Sequence, residues 1–202
     1  KDDPSIVYAC TNVVTRNGSS RLDAFQLQGE EATLVQSSPL KDDDVPRFCL
    51  DVYQASDGHL YVTEAWQGEM YSGPDADSIE FDVQDTALER LTDNGYGADG
   101  IVYDEETGVI LVTTWEQEAM FRVNPETFEI SPIDIPGLGG KPDGLVLLPD
   151  GRLVVTVHPD ILLLSSDDGW ETAVVEEQLG IAQNDDEIAA NIALAEDDLS
   201  VY

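Results

Sequence analysis

Positive charge is what this sequence has least of. Nine Lys and Arg stand against 42 Asp and Glu, for a net charge of −33 over 202 residues. Lysine occurs only at Lys1, Lys41 and Lys141. A surface of that sign repels phosphate backbones and anionic headgroups, so nucleic acid and anionic membranes are excluded as partners. A saline habitat, metal binding or plain solubility would each produce the same bias. Long apolar runs are also missing, since none reaches the ~18 residues that a membrane-spanning helix needs. The chain has no initiator Met and no signal-like stretch, which suggests that Lys1 follows a processing boundary. Cysteine is scarce too. Cys10 and Cys49 are too few for a disulfide framework, and they are either one bridge or two buried thiols.

What is present suffices for a core. Hydrophobic residues make up 42% of the chain, and its length suits one well-buried domain or at most two small ones. The sequon Asn17-Gly18-Ser19 falls on a turn-rich stretch and makes Asn17 a candidate glycosylation site. With the cysteine pair, it points toward a secreted, extracellular protein.

One unit recurs along the chain. It reads Ala98-Asp99-Gly100-Ile101-Val102-Tyr103, a turn ending at Gly108, then Val109-Ile110-Leu111-Val112-Thr113. It returns at Lys141-Pro142-Asp143-Gly144-Leu145-Val146, with Gly151 and Leu153-Val154-Val155-Thr156. An earlier copy is Cys49-Leu50-Asp51-Val52-Tyr53, with Gly58 and Leu60-Tyr61-Val62-Thr63. A partial one starts at Asn191. The polar tip steps from Asp51 to Asp99 to Asp143 to Asn191, at intervals of 48, 44 and 48. A repeat of this length, built from short strands closed by glycine turns, predicts an all-β fold, a β-propeller of four-stranded blades.

The blades fall near residues 5–38, 48–91, 98–135 and 142–177, within one domain spanning 1–202. The first has three strand-like runs, Ile6–Thr11, Leu22–Leu27 and Ala32–Gln36, and lacks an innermost strand. In the second, strands are expected at Cys49–Tyr53, Leu60–Ala65, within Ser78–Val83 and at Ala87–Leu91. Gln183–Ala189 reads as a short helix. The tail 188–202 is a closing or partial blade, and its Asn191–Ala195 is the spare segment that could pair with Ile6–Thr11. That pairing would close a four-bladed ring within the chain or join copies by self-association. Otherwise the chain is part of a larger propeller.

The repeat Lys141-Pro142-Asp143-Gly144-Leu145, followed by Pro149-Asp150-Gly151-Arg152-Leu153, resembles the senescence-marker-protein/gluconolactonase family. That family is six-bladed and includes regucalcin-like proteins, lactonases and luciferin-regenerating enzyme. NHL-type propellers use similar Pro-Asp-Gly strand starts. The family resemblance implies a divalent cation, often Ca²⁺, held at the channel mouth by a Glu, an Asn and an Asp. Asp143 matches the family's Pro-Asp-Gly aspartate, and Asp99 stands where an Asn is expected. The Glu has no match.

Propeller geometry nominates the site independently. Asp51, Asp99, Asp143 and Asn191 begin innermost strands and should converge on the channel, where Ca²⁺ or another divalent cation would find oxygen ligands. The bland alternative is that these residues cap inter-blade turns through backbone N–H bonds. Loops reaching the same face carry Trp66, Glu69, Trp115, Glu118 and Asp160, candidate contacts for a small molecule or glycan. Such tryptophans also serve as packing between blades. Asp99, Asp143 and His158 are the candidates for acid–base work. Two functions compete: an extracellular binding or self-assembling propeller with a channel-mouth cation, and a metal-dependent lactone or ester hydrolase.

Overall fold

Three hairpin turns set the pattern. Gly58, Gly108 and Gly151 take φ values of 92°, 71° and 84°, a left-handed region open to glycine at little cost. Each closes a link between the first two strands of a sheet, as in Ala55 N–H to His59 O at 2.8 Å. The apolar runs on either side then pair antiparallel. The computed structural model describes residues 5–13, 19–41, 44–180, 190 and 192–193.

Fifteen strands form four antiparallel sheets among these residues. The first has three strands, β1 (Ser5–Asn12), β2 (Ser20–Gln28) and β3 (Glu31–Pro39). The second runs β4 (Cys49–Gln54), β5 (Leu60–Glu64), β6 (Glu69–Gly73) and β7 (Glu80–Gln84). The third is β8 (Ala98–Asp104), β9 (Val109–Thr114), β10 (Ala119–Val123) and β11 (Ile130–Pro132). The fourth is β12 (Lys141–Leu147), β13 (Leu153–His158), β14 (Asp160–Ser165) and β15 (Val174–Gly180). The fold is the β-propeller that the repeat predicts, with a first blade of three strands.

Period-2 alternation makes each blade a two-sided wall. On β9, Ile110 and Val112 join Tyr61 and Met70 of the second blade, while Leu111 faces Leu153 and Val155 of the fourth. Leu22 and Ala24 likewise meet Leu60 and Val62 between the first two blades. The core is therefore three layers, one per blade boundary. Among the described residues no such layer joins the fourth sheet to the first. Cys10 of β1 and Cys49 of β4 are disulfide-bonded across the first boundary, which resolves the two cysteine readings in favour of a bridge.

The second blade departs from the sequence reading. Its third strand is β6, and Ala87–Leu91 forms a turn in which Leu88 donates to Asp85 O at 3.0 Å. Leu88 is fully buried from that turn, within the core shared with the third blade. One apolar anchor thus mimicked a strand, while the charged start of β6 concealed one. Asn17, Asn191, the helix expected at 183–189 and the tail 194–202 lie outside the described residues. Within them, Ile6–Thr11 pairs with the Arg21–Gln26 stretch of β2. The pairing expected for Asn191–Ala195 therefore falls outside the described residues, and Ala190 borders the fourth blade, its carbonyl accepting from Gly144 N–H at 2.9 Å and Thr156 Oγ1 at 3.0 Å.

Candidate functional site

A threonine on the second strand of each complete blade reaches across to the next. Thr63 Oγ1 donates to Asp99 O at 2.6 Å, Thr113 Oγ1 to Asp143 O at 2.6 Å, and Thr156 Oγ1 to Ala190 O. These bonds fix which positions are equivalent. Ala65 N–H bonds Phe48 O as Trp115 N–H bonds Gly97 O, so Leu50, not Asp51, corresponds to Asp99. The ring of equivalent positions is Leu50, Asp99, Asp143 and Ala190. The sequence alignment was one residue late at both ends, because the polar residue was taken as the constant feature and the ladder shifts register there.

The correction moves Asp51. Its two carboxylate oxygens accept N–H groups from Val52 at 2.8 Å and Ile101 at 3.1 Å, tying the second blade to the third. Both bonds suit the capping reading, while its charge still acts on Asp99 and Asp143. Burial pushes its carboxyl up to about 6, against those two bonds.

Leu50, Asp99, Asp143 and Ala190 line a cleft of about 480 Å³, with Phe48, Tyr96 and Trp115 as its other lining residues. Asp99, 9% exposed, is hydrogen-bonded to the Asp143 side chain across the boundary of blades three and four. Burial first, then the Asp143 charge and that bond, push Asp99 up to about 9. Asp143 rises to about 6 from burial and, less, the Asp51 charge, restrained by the bond from Asp99 and by Gly144 N–H. The two carboxyls therefore share one proton at neutral pH and carry about one negative charge between them. Gly100 makes the approach possible, because a Cβ there would lie 2.6 Å from Asp143 O.

Aromatic side chains wall the cleft. Phe48 packs on Tyr96 with ring centroids 5.4 Å apart, and on Trp66 at 5.5 Å. The Arg90 guanidinium covers Trp66 at 4.9 Å. Lys141 lies over Trp115 at 5.4 Å, and His158 sits 6.4 Å from the same ring. Of the residues nominated from sequence, Asp99, Asp143 and Trp115 line the cleft, Trp66 backs it through Phe48, and His158 stands beside Trp115. The other described ones go elsewhere. Glu69 is buried in a salt bridge to Arg47, Asp160 accepts from Gln178 at 2.5 Å, and Glu118 is exposed in a left-handed loop position (φ 52°). Phe48, Leu50 and Tyr96 were missed. All three sit at or just before a first strand, the position that marks a channel-mouth residue once the Thr bonds set the register.

Among the described residues no three His, Cys, Asp or Glu side chains are grouped to hold one ion. No described helix is long and apolar enough to cross a membrane.

A buried carboxyl raised above its unfolded value of about 3.9 favours folding fully below that pH, and the benefit is lost as pH rises toward the folded value. Asp99→Asn keeps an N–H donor toward Asp143 and does not ionise. It should raise stability at pH 8 by about 2 kcal/mol, or about 6 °C in melting temperature, with little gain at pH 4.5. Equal gains at both pH values in thermal melts would show that Asp99 ionises normally.

No protein-family model matches the chain, and no curated protein matches it. Solved structures do. The major allergen Mala s 1 of Malassezia sympodialis aligns over 97% of this chain and 66% of its own, at TM-score 0.75 and 17% identity. Virginiamycin B lyase from Staphylococcus aureus aligns over 96% and 66%, at TM-score 0.59 and 15% identity. Luciferin-regenerating enzyme aligns over 96% and 67%, at TM-score 0.60 and 13% identity. At these identities the likeness shows the fold, a β-propeller. The chain spans about two thirds of the length of these neighbours.

Proposed function

We propose that the chain builds most of a propeller that acts as a ligand-binding module, with the channel-mouth cleft as its site and the Asp99–Asp143 pair as its polar anchor. One observation carries this: a carboxyl pair, Asp99 buried and Asp143 half-buried, opens into a cleft of about 480 Å³ whose remaining walls are largely aromatic. The pair has no ion-pair partner among the described residues. A ligand that brings a positive charge or a strong donor supplies what the protein leaves out. The Cys10–Cys49 bridge supports an oxidising, extracellular setting for this module.

Ca²⁺ competes for the same pair, since it would replace the shared proton and let both carboxyls ionise. It takes about six to eight oxygens, of which Asp99 and Asp143 supply the charged ones. A second reading is favoured by the different raised values of the two carboxyls, the pattern of an acid and a base prepared for hydrolysis of a lactone or ester. Asp143 would then accept a proton from water while Asp99 gives one to the leaving oxygen.

Calorimetric titration with Ca²⁺ and turnover of δ-gluconolactone and phenyl acetate test these readings. The binding module predicts no turnover. Turnover that is lost in Asp143→Asn, with the fold intact by circular dichroism, would replace it with the hydrolase.

A further inference from the structure

Resting on the ligand-binding reading, we propose that the cleft selects an organic ammonium ion carrying a flat apolar group. The ammonium sits on the Asp99–Asp143 pair and the apolar part lies against Phe48, Tyr96 and Trp115. Three observations converge on this class. The anchor is a pair of carboxyls on adjacent blades, Asp99 buried and Asp143 half-buried in the cleft wall, with no ion-pair partner among the described residues. The remaining lining consists of Phe48, Tyr96, Trp115, Leu50 and Ala190, surfaces that offer ring faces and methyls in place of the oxygens a hard cation requires.

The third observation is that the site already holds an ammonium of its own. Lys141 Nζ lies 5.4 Å from the centroid of Trp115, and Lys141 precedes Asp143 by two positions on β12. A protein with a net charge of −33 and three lysines places one of them against this wall. The ring face thus accepts a cation, and a ligand cation competes with Lys141 for it.

That competition yields an unusual expectation. Removing a lysine from the rim should tighten binding, because it frees the Trp115 face and removes a like charge. An anionic ligand would respond in the opposite sense. The carboxyl pair gives a second discriminator. Removing both carboxyls takes away the charge that holds an ammonium ion and leaves the aromatic wall that holds a neutral ring.

The probes are benzyltrimethylammonium, its neutral isostere neopentylbenzene, and benzoate, titrated at pH 7.5 by calorimetry and Trp fluorescence. Benzyltrimethylammonium should bind about tenfold more tightly than neopentylbenzene. Lys141→Ala should tighten it about threefold, and the Asp99→Asn/Asp143→Asn double variant should weaken it about tenfold or more. Equal binding of the neutral isostere, or benzoate binding that is lost in Lys141→Ala, would overturn the ammonium class while leaving the cleft as the site. Failure of all three probes to bind the folded protein would overturn the class and count against the cleft as a small-molecule site. Ca²⁺ binding abolished by Asp99→Asn, with no ammonium binding, would assign the pair to a divalent ion instead.

Discussion

Trp170→Ala should lower stability by about 4 kcal/mol, the upper range for deleting a large buried side chain. Trp170 is 2% exposed and belongs to the core layer between the third and fourth blades. It sits at the end of the loop after β14 and reaches back to the third blade, where its indole Nε1–H donates to Asp104 Oδ2 at 2.8 Å. Asp104 also closes its own turn through Glu106 N–H at 3.0 Å and Thr107 Oγ1 at 2.6 Å. Losing the indole therefore opens a cavity and removes one bond from a buried carboxylate. Trp170→Phe separates the two effects. It keeps most of the ring volume and should cost about 1–2 kcal/mol, chiefly the lost bond. Urea denaturation with an unchanged slope measures both. If the Phe variant costs as much as the Ala variant, the hydrogen bond and not the packing holds this boundary.

The same residue shows what could be read from the sequence. Period and glycine placement marked out the repeating blades and the short first one, because a four-stranded unit must repeat its turns to repeat its sheets. The outer strands were harder to place. They carry weaker alternation, as in Glu80–Gln84 and Val174–Gly180, where most residues are exposed. Trp170 stands out in composition, yet nothing near it announces a partner 66 residues earlier. Contacts between blades are made at ranges that local patterning does not encode.

At the site, the carboxylates were legible and their register was not. Asp51, Asp99 and Asp143 look equivalent as letters, but the ladder bulges between Cys49 and Asp51 and between Ala98 and Ile101. Asp51 N–H faces Thr63 Oγ1 at 3.3 Å, as Gly100 N–H faces Thr113 Oγ1 at 2.8 Å. A one-residue offset at such a point turns a side chain from the channel into the blade boundary. Threonines on β5, β9 and β13 were the better markers. Their hydroxyls recur in one geometry because each bridges two blades, whereas an Asp can serve either as a cap or as a channel residue.

Arg47→Met should cost about 3–5 kcal/mol at pH 7.5, the effect of stranding a buried charge. Glu69, 2% exposed at the start of β6, accepts Arg47 Nε–H at 2.5 Å and Arg47 Nη2–H at 3.1 Å, and is also bonded by the Tyr71 hydroxyl. Burial pushes its carboxyl up, but the bonds from Arg47 and Tyr71 and the charge of Arg47 outweigh that and hold it below the usual range. Lys41 Nζ, at 3.6 Å and partly exposed, is a weaker partner. In the native protein this carboxylate contributes stability above its unfolded value of about 4.3, and the contribution fades as pH falls through the depressed folded value. Without Arg47 the sign reverses: burial dominates, the carboxyl rises, and acid relieves the strain. The variant should therefore recover part of its loss between pH 7.5 and pH 5, where the wild type gains nothing from this group. Adding Glu69→Gln should restore about half or more of the lost stability, since the buried charge is gone while a polar partner for Tyr71 remains. Chemical denaturation of the single and double variants at both pH values checks this. A single variant whose deficit is the same at pH 5 and pH 7.5, with no recovery in the double, would mean that Arg47 acts through its packing at the first blade boundary, where its carbonyl accepts from Ser20 Oγ at 2.6 Å.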